Sequence, residues 1–267
     1  MRPVVFMRIA EEDLDEAHVA SQYLPVLTDL DEVRSGDLVI GRFSLFPFYD
    51  LIQHEVQVRG ASLLVPHTDY QYIADMQNWY ADLTDVTPRT WFGTDVTRIP
   101  DEYAGPFFVK GVTNSRKSVW SNAYARNRAD LSRVLAELSE DPFIGQQTIA
   151  VRDWVPLRTF YAKANGQPVT EEYRYFILDG EVVSVGYYWA SQVRRVLETG
   201  FTPDPARVDR DWLRNVTSRI PVRHYVLDVG ITQAGDPIVV ELNDPSMSGL
   251  CGNDPHVLYR NLANALS

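Results

Sequence analysis

The chain has 267 residues, 45% of them hydrophobic and 12% aromatic, which is enough for a substantial core and excludes a disordered tail. A formal net charge of −11 excludes a general nucleic-acid or anionic-membrane binder, because such binding depends on Lys and Arg neutralising phosphates. No run nears the roughly 18 apolar residues of a membrane-spanning helix, Met1-Arg2-Pro3-Val4 leads into a strand-like stretch instead of a signal peptide, and the lone Cys251 cannot make an internal disulfide. A cytoplasmic protein is expected.

In chain order, Pro3 to Ala10 reads as a strand and Glu11 to Ala20 as a short helix. Asp37 to Arg42 is a second apolar strand, Phe46 to Arg59 has helical spacing, and Ala61 to Pro66 is a third strand. Thr68 to Leu83 begins with a capping residue and spaces Tyr72, Met76 and Tyr80 four apart, as an amphipathic helix does. Strand and helix thus alternate through residues 1–100, the pattern of a small parallel α/β layer. Beyond Pro100, strands at Phe107 to Lys110 and Gln147 to Val155 flank a polar helix expected at Ser118 to Ser139. Glu172 to Leu178 and Glu181 to Tyr188 are joined by Asp179-Gly180, a two-residue hairpin signal. A helix at Pro205 to Arg219, a second hairpin (Tyr225 to Ile231 with Pro237 to Asn243) and a helical tail at Pro255 to Leu266 complete the chain. The reading is an α/β front domain, 1–100, followed by an α+β domain, 101–267, rich in antiparallel hairpins.

The second hairpin carries the most chemistry. With its turn near Ala234-Gly235, cross-strand partners have numbers summing to 469, which sets Asp228 opposite Glu241. Opposed Cβ atoms lie about 4.5–5.5 Å apart, and like charges there destabilise unless something neutralises them. Asn243, two positions on, shares the face of Glu241 and adds an oxygen donor. Two carboxylates and an amide suit magnesium. Both acids could instead sit on the solvated face of an ordinary hairpin, but Tyr225, Leu227, Val229, Val239 and Leu242 make both strands look buried.

No Walker loop and no dinucleotide fingerprint occur. Lys110 ends the apolar strand of GPFFVKG and precedes a polar loop holding Asn114, Ser115 and Lys117; alone, it could equally snorkel to water. Asp153, Trp154 and Val155 end another apolar strand, where backbone groups could hydrogen-bond adenine. Alternation sets Glu172, Arg174 and Phe176 on one face of their strand, so Arg174 is either an ordinary partner of an acid or a fork for phosphoryl oxygens. Arg42, Arg152, Arg194 and Arg195 could line a substrate pocket, and core or surface pairing serves each as well.

The order FVK, polar loop, helix, V-R-D-W-V, E-x-R-x-F, D-V-G-I-T and E-L-N resembles the ATP-grasp superfamily, near its glutathione-synthetase-like and peptide-tagging ligases. That resemblance implies two α+β subdomains gripping ATP after a small pre-grasp domain. It implies Lys110 and Arg174 as catalytic groups, with Lys110, Lys117, Asp153, Trp154, Val155, Glu172 and Arg174 holding ATP, and Asp228, Glu241 and Asn243 holding Mg2+. The implied reaction is carboxylate–amine ligation through an acyl-phosphate on an amino acid, peptide or related small substrate. A small-molecule kinase or a noncatalytic nucleotide-binding module are the alternatives. The loop after Lys110 departs from the family in having few glycines.

Overall fold

A computed structural model describes residues 1–7, 14–42, 48–115 and 119–267 of the chain. DLVIG at 37–41 lacks polar alternation, the mark of a strand covered on both faces, and its burial follows. In chain order the front layer comprises β1 (Arg2–Phe6), α1 (Leu14–Ala20), β2 (Val26–Leu27), β3 (Asp37–Gly41), α2 (Tyr49–Val58) and β4 (Ser62–Leu63). The four strands form one parallel sheet, ordered β2-β1-β3-β4. Val4, Phe6 and Val39 face Tyr49 and Val56 of α2, whereas Val5, Leu38 and Ile40 face the opposite way. Asp37, buried at the start of β3, is held by Arg2 at 2.7 Å.

The helix expected at 68–83 is broken. Asp75 adopts an extended backbone, ends α3 (His67–Ala74), and accepts the Gln77 N–H at 2.8 Å as N-cap of α4 (Met76–Trp79). Met76 is buried, and Tyr72 and Tyr80 still pack against the same core. β5 (Thr90–Phe92), β6 (Phe107–Gly111), β7 (Tyr124–Ala125) and β8 (Ile149–Asp153) form an antiparallel sheet, ordered β5-β8-β6-β7. β5 precedes residue 100 in sequence but pairs with β8. The helix expected from 118 begins at Arg128: Asn127 caps α5 (Arg128–Ser139), and a 3-10 turn at Trp120–Asn122 and β7 occupy the preceding stretch. Leu131, Val134, Leu135 and Leu138 of α5 cover Phe107 and Val109 of β6.

Next come a short two-stranded sheet, β9 (Thr159–Ala162) with β10 (Pro168–Thr170), then β11 (Glu172–Leu178) and β12 (Glu181–Tyr187). Asp179 and Gly180 both have positive φ, 50° and 82°, as their two-residue turn requires. α6 (Val193–Leu197) follows. The helix expected over 205–219 divides into a 3-10 turn, Pro205–Arg207, and α7 (Arg210–Thr217), capped by Asp209. β13 (His224–Ile231), β14 (Pro237–Asn243) and α8 (Pro255–Leu266) end the chain. The last large sheet is antiparallel, ordered β12-β11-β13-β14. Tyr173, Tyr175, Tyr225, Leu227 and Val229 fill one of its faces. On the other, Phe176, Leu178 and Val226 pack with α8 and the front layer, and the remainder opens into a cleft.

His224, fully buried at the start of β13, donates its Nδ1–H to the Ile177 carbonyl at 2.7 Å. Burial pushes its pKa down to about 4 from an ordinary 6.5, with Arg42 adding to the fall. The unfolded chain therefore takes up a proton between pH 6.5 and 4 that the folded chain refuses, and stability falls with pH across that window. The loss reaches about 2 kcal/mol by pH 5. Chemical denaturation of wild type and His224→Gln at pH 7.5 and 5 should show the smaller pH decrement in the variant; equal decrements would contradict the burial argument.

Candidate active site

The candidate residues gather where the β6–β8 sheet faces the β11–β14 sheet. On β6, alternation buries Phe107 and Val109 under α5 and turns Phe108 and Lys110 toward the cleft. Lys110, 2% exposed, forms an ion pair with Glu241 of the facing sheet. The snorkelling alternative is thereby removed.

Asp228 does stand opposite Glu241, as the sum of 469 requires, and the same sum pairs Leu227 with Leu242 and Val226 with Asn243. Toward the turn the sum falls to 468, Val229 pairing with Val239, so Val240 is the extra residue of a β-bulge. The bulge has a definite effect. It lets Val239 and Leu242 both enter the core while Ile238 and Val240 line the cleft beside Glu241. Strict alternation would have put Glu241 on the same face as Val239.

Across β11 and β13, Arg174 is opposite Asp228. Arg174 Nε and Nη2 donate to the two Asp228 carboxylate oxygens, each at 2.8 Å, and Asn243 Nδ2 donates to Asp228 Oδ2 at 3.0 Å. Burial pulls the guanidinium pKa down, but the Asp228 charge and hydrogen bonds hold it above its ordinary value. The remaining Arg174 nitrogen, Nη1, donates to the Gly249 carbonyl at 3.0 Å. That segment is seated on β12, where a Cβ on Gly186 would lie 2.1 Å from the Gly252 carbonyl carbon. Asp228, Glu241, Asn243, Arg174 and Lys110 therefore form one contiguous group.

Glu172, buried on the cleft face two residues before Arg174, hydrogen-bonds Thr170 and accepts the Trp189 Nε1–H at 2.9 Å. These lie at the polar end of a pocket with Phe108, Trp154, Leu157, Ile238 and Val240 as apolar walls. Asp153, Trp154 and Val155 form its rim. The Trp154 N–H bonds the Pro106 carbonyl at 3.0 Å, so ladder alternation turns the Asp153 C=O and Val155 N–H the other way. Among the described residues no loop or side-chain hydrogen bond engages either group. Lys117 lies outside the described residues. Asn114 and Ser115 lie in the loop beyond β6, and the Asn114 side chain bonds Thr113 Oγ1 at 3.1 Å.

Of the four arginines weighed for a substrate pocket, Arg152 alone lines this one. It is 4% exposed, donates to the Val240 carbonyl at 2.6 Å and Thr87 Oγ1 at 2.7 Å, and its buried Nε has no partner among the described residues. Burial lowers its pKa to about 10. Its pairing with Phe108 across β6 and β8 puts it on the cleft face, a relation that sequence alternation alone leaves hidden. Arg42 is taken up by Glu16 and the Ser248 carbonyl, a tie between the front layer and the 244–249 segment. Arg195 lies 3.9 Å over the Tyr161 ring, and Arg194 is exposed beside Glu198. Cys251 has φ 54° and stands within electrostatic reach of Arg174.

Antiparallel sheets with their helices facing each other across a cleft are the arrangement of the ATP-grasp fold. The chain belongs to the family described as ATP-grasp domain, R2K clade family 3, which matches residues 98–262. Solved structures with the same fold include a RimK domain protein ATP-grasp from Sphaerobacter thermophilus DSM 20745, at TM-score 0.59 and 13% identity over 98% of each chain. The macrocyclase MdnC from Microcystis aeruginosa MRC, bound with precursor peptide MdnA, gives TM-score 0.61 and 12% identity over 100% of this chain and 99% of that one. An L-amino acid ligase from Bacillus licheniformis gives TM-score 0.58 and 12% identity over 100% of this chain and 74% of that one. A search of the curated proteins finds no match. Among the described residues no helix is long and apolar enough to cross a membrane.

Proposed function

We propose that the chain is an ATP-dependent carboxylate–amine ligase that works through an acyl-phosphate. One observation supports the reading: two ion pairs, Lys110 with Glu241 and Arg174 with Asp228, meet between two sheets beside an apolar-walled slot. A set of side chains without a nucleophile of its own suits a reaction in which the protein positions reactants and offsets charge.

The slot fits the purine through the Asp153 C=O and Val155 N–H, and Glu172 at its polar end suits a ribose hydroxyl. Among the described residues no three His, Cys, Asp or Glu side chains converge. A metal would therefore be held by Asp228, Glu241 and the Asn243 amide oxygen, together with phosphate oxygens. An all-oxygen set of this kind fits Mg2+, which when bound would polarise the phosphates. Lys110 and the Arg174 fork would steady the transferred phosphoryl oxygens. In the reaction a substrate carboxylate oxygen attacks the γ-phosphorus and the bond to the bridging oxygen breaks, leaving ADP. An amine nitrogen then attacks the acyl carbon, the carbon–oxygen bond breaks, and phosphate and a proton leave as the amide forms.

The MdnC and L-amino acid ligase neighbours, whose names speak of a precursor peptide and of amino-acid ligation, support a peptide or amino acid as substrate. The test is ADP release with Mg-ATP against panels of amino acids and short peptides, with mass spectrometry of the mixture. The expected outcome is ADP release that needs both a carboxylate and an amine and yields a condensed product. A stable phosphorylated product would establish a kinase instead, and tight Mg-ATP binding without turnover on any pair would favour a noncatalytic module.

A further inference from the structure

A second cavity, of about 560 Å³, lies between the front layer and the loop that follows β6. Its back wall is aromatic. Tyr49 stacks on Tyr70 with ring centroids 4.4 Å apart, and on His67 at 5.4 Å. The Tyr49 hydroxyl donates to the Val65 carbonyl at 2.7 Å, which fixes that ring. The rim is acidic: Asp50 is 80% exposed in its side chain and pairs with His67, and Asp75 caps α4 through one oxygen. Among the described residues that line it there is no lysine and no arginine. Asp244 lies behind the stack, close enough to raise the pKa of both Tyr49 and Tyr70 in addition to the larger effect of their burial.

The elements that wall the cavity join those of the candidate site. Asp244 follows Asn243 directly, α3 packs on β14, and the Met76 N–H bonds the Val112 carbonyl of the loop leaving Lys110. Thr113 of that loop lines the cavity itself.

Stacked electron-rich rings attract a cation over their faces, and carboxylates around them add Coulombic attraction while repelling anions. A neutral apolar ligand would gain from the rings but nothing from the acids. We propose that this cavity binds the cationic, guanidinium- or ammonium-bearing side chain of the acceptor substrate, seating its reacting group toward Lys110 and Glu241. The proposal rests on the ligase reading for what the cation is attached to; the binding of a cation does not depend on it.

The matched probes are N-acetyl-L-argininamide and N-acetyl-L-citrullinamide, nearly isosteric and differing in side-chain charge. Each is titrated calorimetrically into the full chain with saturating Mg-AMP-PNP. The arginine probe should bind at least tenfold tighter than the citrulline probe. Asp75→Asn, which keeps an N-cap oxygen, and Tyr70→Leu should each weaken it about tenfold, with Mg-AMP-PNP affinity serving as the control for folding. Equal affinity for the two probes, no measurable binding of either, or binding that ignores both substitutions would overturn the assignment. Discriminating arginine binding with no amide product from any substrate pair would sink the ligase reading and leave the cation site standing.

Discussion

Arg174→Met should destabilise the fold by about 3–5 kcal/mol, and Asp228→Leu added to it should recover most of that loss. The two side chains are 9% and 2% exposed and joined by a bidentate contact at 2.8 Å. Removing one leaves the other charged, desolvated and unpaired, which is the costly state. Removing both restores electroneutrality, and a buried ion pair replaced by well-packed apolar groups is often neutral or better. Guanidinium denaturation of the wild type, both single variants and the double variant gives the coupling energy directly. Additive losses would show that Arg174 and Asp228 are not each other's main support. Turnover should be abolished in all three variants, the double included. Stability and activity should therefore separate, the double variant folding without turnover.

The fold class and the acidic hairpin were both legible because each is written in a local pattern. Apolar LVIG at 38–41 marked a strand of a parallel layer, the turn near Ala234-Gly235 set Asp228 against Glu241, and the apolar context of 225–231 and 237–243 marked both strands as buried. Once Asp228 is set against Glu241, the pairing of Asn243 with Val226 follows from the same register. The bulge at Val240 escaped, because an extra residue in one strand leaves no mark in composition; its sole trace is that Val239 and Val240 are both apolar yet end in different places. Asp75 was hidden for a related reason: an aspartate inside an amphipathic run reads as a solvated position, and it is a cap only if the backbone turns extended there. The Lys110 to Glu241 contact, and the place of Arg152, join residues 131 and 88 positions apart across two sheets. Such contacts follow from how the sheets close on each other, which strand-by-strand periodicity does not encode.

That contact should also set the order in which metal and nucleotide bind. In the structure each proposed metal acid already has a cation: Glu241 has Lys110, and Asp228 has Arg174. Within these two pairs the charges cancel, and the Arg152 guanidinium stands in Coulombic range of Glu241 as well, so a divalent ion arriving alone meets no attractive field and would have to displace a buried cation. Triphosphate changes the balance, because its oxygens attract Lys110 and Arg174 and leave the acids available. Mn2+, followed by its paramagnetic resonance signal as a stand-in for Mg2+, should bind the wild-type chain at least a hundredfold tighter with AMP-PNP than without it. Lys110→Met then acts in opposite senses on the two ligands. It removes the lysine from the Glu241 ion pair, so Mn2+ alone should bind more tightly than to wild type, and it removes the proposed phosphate contact, so AMP-PNP should bind about tenfold or more weakly. A lysine that only supported the fold would shift neither affinity, and Mn2+ bound equally well with and without nucleotide in the wild type would show that the two ion pairs do not guard the acids. The wild-type titration needs no substitution, so it decides between these outcomes even if the variant fails to fold.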